Sequence, residues 1–265
     1  VDGMTALHYG AKFGYQEIIE LLLAKESIDV NLKDSNNQTA FMHAVHKDIN
    51  DSVLFQLLDL ENETTYQPTN TGQTILHMLA NSNRVQIARE ILSGKGINVN
   101  DCDEEGKSAL MIAAENGHAD IMDLLLTQPE IEINLQDVNG FTALSLAVSR
   151  QQHHIIQQLL SCPNIDIHIK NKEGYTMLML AIENDDSDVV NLILQQQDSA
   201  FPAEDLVLAT EFAENNEMIE VADHLRKFLP DGDGTNNSAT KMLNISTEKL
   251  VTKNLEDSVR LVFPR

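Results

Sequence analysis

The residues that most often carry out chemistry in proteins are scattered through this sequence without a shared motif. It contains nine histidines, two cysteines and 41 aspartates or glutamates, but no GxxxxGK[ST] loop, HExxH pair, GxSxG elbow or zinc-type cysteine spacing. Cys102 and Cys162 lie far apart in the chain, as is typical of free thiols in a reducing compartment. His153 and His154 are adjacent, so they would point apart on a helix. The sequence therefore predicts a non-enzymatic protein with no catalytic residue, metal or cofactor, and it disfavours a small-molecule ligand.

An internal repeat is the main feature of the sequence. Turn-forming residues recur at intervals of 34 or 35 positions, and each is followed two positions later by a Thr or Ser that could cap a helix. Five of these residues are glycines and one is an asparagine, which tolerates a positive φ best after glycine. The spacing predicts six copies of one unit, opened by Gly3, Asn37, Gly72, Gly106, Gly140 and Gly174.

Each unit carries two apolar helix patterns. In the fourth unit the first helix runs from Ser108 to Gly117, a glycine suited to a left-handed helix end. The second pattern is rich in leucine and isoleucine and recurs at 18–23, 53–58, 87–92, 121–126, 155–160 and 189–194. Such a helix pair exposes too much apolar surface to be stable alone, so we expect the six units to stack on one another.

The pattern resembles the ankyrin repeat family, whose unit is a β-turn and two antiparallel helices with a period of about 33 residues. The resemblance covers about residues 1–195 and implies an all-α fold, an ankyrin-repeat solenoid of helix-turn-helix units joined by β-hairpin loops. The proline that the family usually has after the cap threonine is absent from all six repeats of this chain, and repeat two is stretched near 48–51. The family's histidine remains as His8 and His77, where a ring that braces neighbouring turns is implied. The six repeats are expected at about 1–34, 35–69, 70–103, 104–137, 138–171 and 172–195.

The rest of the chain is interpreted from its composition. Residues 196–230 lack the turn glycine and the cap threonine but keep two helix patterns with a charged face, which predicts a degenerate helical capping unit. Residues 231–240 have the composition of a flexible linker. Residues 241–265 are too apolar for a linker and could be a docking peptide that folds back onto the repeats, an extra helix or the edge of a following domain. Because Val1 and Asp2 already lie in the first turn, we expect the apolar face of repeat one to be covered by more of a longer protein or by something else.

The resemblance implies a protein-protein interaction scaffold that binds a partner protein or linear peptide through a concave surface made by the turns and first helices. The alternative is a targeting or substrate-recognition fragment of a larger enzyme or secreted effector whose catalytic domain lies outside this chain. The residues expected to bind a partner are Phe13, Lys47, Gln73, Asn81, Glu104, Glu105, Lys107, Glu115, Asn116, Val138, Phe141, Ser149, Arg150, Lys172, Tyr175 and Glu183.

The most specific site prediction is an exposed aromatic patch. Phe141 and Tyr175 occupy consecutive turn tips, with Val138 nearby, and aromatic residues are favoured as interface anchors. The alternative is that these rings pack against the adjacent turn. A second apolar row, expected to serve packing between repeats, consists of Tyr9, Met78, Ile112, Leu146 and Leu180.

A modification is also implied by the resemblance, since ankyrin proteins can be substrates of an asparaginyl hydroxylase. The candidate positions are the loop asparagines Asn31, Asn100 and Asn134, and His168 replaces the asparagine in repeat five.

The charge of the chain limits its partners. The formal net charge is −23 at pH 7, and all of the excess lies before residue 231. Such a chain repels nucleic acid and anionic membrane surfaces, so we expect a neutral or basic protein partner, although solubility alone could explain the charge. No segment approaches the roughly 20 apolar residues of a membrane span, and no signal sequence is recognisable. The expected location is the cytoplasm, with the nucleus also open.

Overall fold

A computed structural model describes residues 2–25, 27–60, 67–94, 96–196 and 201–229. Within these ranges the chain forms fourteen α-helices and no β-strand, which confirms the predicted all-α class. The contacts divide the chain into two units, 1–197 and 198–265. The linker predicted at 231–240 and the docking peptide predicted at 241–265 lie outside the described residues.

The first unit consists of six helix pairs that stack in chain order. Each first helix packs against the next first helix, and most second helices pack in the same way, which confirms the predicted solenoid. The first helices are α1 (Ala6–Phe13), α3 (Ala40–Val45), α5 (Ile75–Ser82), α7 (Ala109–Asn116), α9 (Ala143–Ser149) and α11 (Met177–Glu183). The second helices are α2 (Gln16–Leu23), α4 (Asp51–Leu60), α6 (Val85–Ser93), α8 (Ala119–Leu126), α10 (His153–Leu160) and α12 (Ser187–Leu194).

The helix ends follow the sequence signals. Thr142 is extended at the start of α9, and its hydroxyl accepts a hydrogen bond from Ser145 N at 3.2 Å, so one of the otherwise unpaired N–H groups of the first turn is satisfied. Gly117 ends α7 in the left-handed conformation with φ +73°. The helices between these caps bury their leucine, isoleucine, alanine and methionine side chains, which form one continuous core between the repeats.

Successive turns are joined by backbone hydrogen bonds. Val138 N donates to Glu105 O, and Lys172 N donates to Asn139 O, both at 2.9 Å. Within the described residues the only ladder pairing is an isolated antiparallel bridge between Cys102 and Ser108, so the loops form tight turns and do not extend into strands. This row of turns fixes the spacing between repeats and therefore the spacing of the side chains on their surface.

Repeat two departs from the common geometry where the sequence is stretched. Helix α3 has six residues and the loop 46–50 follows it, whereas a two-residue connection is enough between α1 and α2. Ile49 in this loop is 1% exposed, so the inserted segment is held against the core.

The second unit contains two helices in its described part, α13 (Ala203–Asn215) and α14 (Ile219–Arg226), which pack against each other. Arg226 donates hydrogen bonds to Glu214 on α13 and to Asp223 on α14, which ties the two helices together. Whether this pair caps the repeats stays a prediction. None of the helices in the described ranges is long and apolar enough to cross a membrane.

Candidate protein-binding surface

A side chain three residues before each turn residue from repeat two onward organises the turn. In repeat five the Asp137 carboxylate accepts hydrogen bonds from Asn139 N at 2.9 Å and from Phe141 N at 2.8 Å. This local bonding holds the turn in one conformation. These positions were not predicted from the sequence, although they recur with the period of the turns. The residues that play this role are Asp34, Thr69, Asp103, Asp137 and Asn171.

His8 and His77 brace neighbouring repeats, as the resemblance implied. His8 Nδ1 lies 2.8 Å from the Thr5 hydroxyl, and its Nε2 lies 3.1 Å from Gln38 O in the next turn. His77 repeats the arrangement with Thr74 and Lys107 O, both at 2.8 Å. Burial lowers the pKa of both rings, although the bonds to the backbone carbonyls oppose this shift. These histidines are structural and hold the turns in place under the surface.

Polar side chains at the ends of the first helices link one repeat to the next. Glu115 on α7 receives hydrogen bonds from Lys107 at 2.8 Å and from Arg150 of the following repeat at 2.6 Å. Desolvation acts to raise the pKa of Glu115, but the bonds from the two cations outweigh it and lower the pKa. Asn116 Nδ2 donates to Asn81 Oδ1 of the preceding repeat at 3.0 Å. Five residues predicted to bind a partner are therefore already fixed by one another.

Four of these residues, Asn81, Lys107, Glu115 and Asn116, line a depression of about 340 Å³ between repeats two and four. Its lining is mostly polar or charged and includes two apolar side chains, Met78, which is buried, and Ile112, which is half-buried. Six of its lining residues are among those predicted from the sequence, namely Gln73, Asn81, Glu105, Lys107, Glu115 and Asn116.

A larger cleft of about 1300 Å³ lies among the helix ends of repeats two to four. Of the residues predicted to bind a partner, Lys47 and Asn81 line it. Most of the side chains that line it are polar or charged, and several are already paired, such as Arg84 with Asp51 at 2.8 Å. Only two of the residues predicted to bind a partner line it, whereas six of them line the smaller depression. We therefore place the candidate site at the depression.

The prediction of an exposed aromatic patch is wrong for Tyr175, which is 4% exposed. Phe141 is half-buried, and Val138 is 47% exposed. The residue after the turn glycine points inward along the first helix, as Lys107 shows by reaching Glu115. The alternative, that the rings pack against the adjacent turn, stays a prediction. The exposed positions of each turn are those before the glycine.

The other predicted residues lie on the same surface with different exposure. Ser149 is half-buried, and its hydroxyl donates a hydrogen bond to Ser145 O at 3.0 Å within the same helix. The exposed members are Phe13, Lys47, Asn81, Glu104, Glu105, Asn116, Arg150, Lys172 and Glu183. In the apolar row, Tyr9 is exposed, Ile112 is half-buried, and Met78, Leu146 and Leu180 are buried between repeats.

The loop asparagines bind the next repeat. Asn100 Nδ2 donates to Glu130 O at 2.6 Å and its Oδ1 accepts from Glu132 N at 2.9 Å. Asn134 makes the matching pair of bonds to Asn164 O and Asp166 N. Asn31 is half-buried in the corresponding loop of repeat one. Hydroxylation of these three residues stays a prediction.

The described residues hold no group of three His, Cys, Asp or Glu side chains that could bind a metal ion. Cys102 and Cys162 are unpaired. Burial and nearby carboxylates raise the pKa of both thiols, so the thiolate forms are disfavoured.

Comparison with known proteins places this architecture in a family. The family model for ankyrin repeats (3 copies) matches residues 1–63, 41–137 and 129–203. The chain belongs to the ankyrin repeat family. It is similar to the ANK repeat-containing protein nipk-1 of Caenorhabditis elegans, with 31% identity over 86 residues, which cover 28% of this chain and only 14% of that relative. The crystal structure of EF0377, an ankyrin repeat protein, matches with a TM-score of 0.62 and 23% identity over 72% of this chain and 96% of that chain, and this likeness concerns the fold.

Ankyrin repeats are a protein-protein interaction module.

Proposed function

We propose that this chain is a non-enzymatic scaffold that binds a segment of a partner protein at the depression between repeats two and four. The observation that carries the proposal is the coincidence of this depression with six residues that the repeat pattern had placed on the binding surface. Part of this surface is preorganised, because the lining residue Glu115 accepts hydrogen bonds from Lys107, which also lines the depression, and from Arg150 of the following repeat. A binding surface that is ordered before the partner arrives loses less entropy on binding.

The charges favour a neutral or basic partner segment. Glu104 and Glu105 are exposed at the turn tip beside the depression, and the chain as a whole carries −23. Further along the surface, burial raises the pKa of Glu183, and the nearby Glu173 carboxylate raises it further. A lysine or arginine of the partner would relieve this repulsion, whereas an acidic segment would increase it.

Affinity capture with matched variants tests the location of the site. Ile112→Arg places a charged side chain in the lining of the depression, and Gln157→Arg makes the same change in charge on the exposed face of α10. The full chain, the two variants and bare resin are used to capture proteins from a cell lysate, with quantitative mass spectrometry as the measurement. Thermal unfolding and circular dichroism confirm that both variants are folded.

We expect a set of proteins that the wild type and Gln157→Arg retain equally and that Ile112→Arg loses by about tenfold or more, the effect of removing one interface anchor. If all three chains retain the same proteins to the same extent, the depression is not the binding site. The basic character of the partner is tested separately by replacing Glu104, Glu105 and Glu183 by glutamine. These substitutions should weaken the same interactions and reduce their sensitivity to salt.

A further inference from the structure

Repeat one exposes an apolar face that no other repeat of the first unit has in its described part. Tyr9, Phe13 and Tyr15 are 46%, 56% and 54% exposed. Their rings stack in sequence, with centroids 6.4 Å apart for Tyr9 and Phe13 and 5.8 Å apart for Phe13 and Tyr15. Ile18 and Leu21, which are 44% and 69% exposed, extend the patch along α2. We call these five residues the repeat-one face.

The counterparts of Ile18 in the other repeats are all buried. Ile18 opens the apolar run of the second helix, and the residues in this position of repeats two to six are at most 1% exposed. Most second helices pack against the second helix of the preceding repeat. The counterparts are Val53, Ile87, Ile121, Ile155 and Val189. Ile18 is therefore exposed at a position that is buried in every other repeat of the first unit.

The residues equivalent to Phe13 in other repeats also contact the repeat that precedes them. Its counterpart Asn116 donates to Asn81 at 3.0 Å, and its counterpart Asn184 donates to Val148 O at 2.9 Å. Ser82 and Arg150, the counterparts in repeats three and five, also bond to the repeat before them.

The residues equivalent to Tyr15 make a third contact with the preceding repeat. In repeats three to five its counterparts bond to a backbone carbonyl near the end of the preceding first helix, with distances of 2.5, 2.8 and 3.5 Å. These counterparts are Arg84, His118 and Gln152. The phenolic O–H of Tyr15 is a donor of the same kind.

We propose that the repeat-one face binds a further helix pair of the ankyrin type, stacked in the register that already joins the other repeats. Three positions that elsewhere face the preceding repeat are here large, apolar and exposed, and the interface they would form continues an established one. A second copy related by a twofold axis would instead bring two repeat-one faces together. The backbone carbonyls to which the counterparts of Tyr15 bond lie on the side of a repeat that faces the following repeat. A dimer of two repeat-one faces would not place these carbonyls in its interface.

A fusion that keeps the full chain intact tests the proposal. A copy of residues 104–137 is joined directly before Val1, which sets the copied Gly106 and Gly3 at the 34-residue spacing of the array. The measurement is hydrogen exchange of the α2 amides, read by mass spectrometry in the fused and unfused chains. A second fusion with a copy of residues 138–171 keeps the same spacing and guards against one copied pair failing to fold. Sedimentation of the unfused chain reports self-association.

We expect at least one fusion to slow the exchange of the α2 amides by about tenfold or more, since covering a helix suppresses its local opening. Ile18→Asp in that fusion should abolish the protection. Glu20→Ala should leave it, because the counterparts of Glu20 on α6, α8 and α10 are exposed even in covered repeats. The proposal is overturned if neither fusion changes the exchange of α2. It is also overturned if the unfused chain sediments as a dimer that Ile18→Asp dissociates, because the face would then belong to a second copy.

Discussion

The Nε2 atom of His77 lies 2.8 Å from the carbonyl oxygen of Lys107 in the next repeat. A carbonyl oxygen only accepts, so Nε2 carries the proton and donates it. On the other side of the ring, Nδ1 accepts from Thr74 N at 3.1 Å and lies 2.8 Å from the Thr74 hydroxyl. A neutral imidazole in this one tautomer therefore caps its own helix and fixes the neighbouring turn at the same time.

Removing this ring should destabilise the array. His77 is 1% exposed, and its loss leaves the start of α5 less well capped and the Lys107 carbonyl without this donor. We expect His77→Ala to lower the free energy of unfolding by about 2–4 kcal/mol, the sum of a lost cap and a lost buried hydrogen bond. Urea denaturation measures it. Gln157→Ala on the exposed face of α10 is the control and should change the free energy by less than about 0.5 kcal/mol. Equal effects of the two substitutions would contradict the structural role.

The buried histidines should make stability depend on pH. Burial lowers the pKa of His8 and His77 in the folded state below 6.5, so the unfolded chain binds more protons as the pH falls. Their contribution is complete above about pH 6.5, the unfolded value, and is lost as the pH falls through that value towards the folded one.

We therefore expect the free energy of unfolding to fall between pH 7 and pH 5, and to fall less steeply in His77→Asn than in the wild type. The raised pKa of Glu183 acts in the opposite direction at lower pH, but it is present in both proteins and cancels in the comparison. Urea midpoints at a series of pH values give the two slopes. Parallel slopes would show that His77 does not titrate in this range.

The period of the sequence predicted most of the architecture. Six turn residues and their cap hydroxyls located the first helices, because a cap and a left-handed residue are local requirements that only a few residue types satisfy. The burial of Leu110 or Ile121 followed from the same argument, since a helix pair without neighbours is unstable.

The direction of the side chains at the turns could not be predicted from the repeat period of the sequence. The residue after the turn glycine was taken as a tip, but Lys107 and Phe141 are half-buried and Tyr175 is buried. The turn sends this side chain back along its own first helix, and only the backbone path determines that. The turn-organising Asp137 was not predicted for a different reason: the repeat was followed through the turn glycine and the cap hydroxyl, and the position three residues before the glycine was left out.

The turn-organising position should tolerate some residues and not others. Asp137 is 6% exposed, and its carboxylate accepts from two backbone N–H groups. Asp137→Ala leaves both donors without this partner and should cost about 1–3 kcal/mol of stability. Asp137→Asn should cost less, because Asn171 makes the same two bonds with its amide oxygen in repeat six. Urea denaturation of the two variants measures the difference, and a larger loss in Asp137→Asn than in Asp137→Ala would contradict this account.

Two turn glycines offer a matched test of how closely the repeats approach each other. Gly140 and Gly174 have φ values of +85° and +86°, so an alanine at either position meets the same backbone strain of about 1–2 kcal/mol. A Cβ atom at Gly140 would lie 2.7 Å from Lys172 N and 2.9 Å from the Cα atom of Asn171 in the next turn, whereas a Cβ atom at Gly174 would meet none of the residues that the structure describes within 4 Å.

We expect Gly174→Ala to lower the free energy of unfolding by about 1–2 kcal/mol through backbone strain alone. Gly140→Ala should lower it by at least about 1 kcal/mol more, because the clashing atoms are backbone and the two turns must separate. Chemical denaturation of both variants measures the difference, and circular dichroism checks that both are folded. Equal losses would show that the turns are not held at this distance, and the row of hydrogen bonds between them, including Lys172 N to Asn139 O, would then not set the spacing of the repeats.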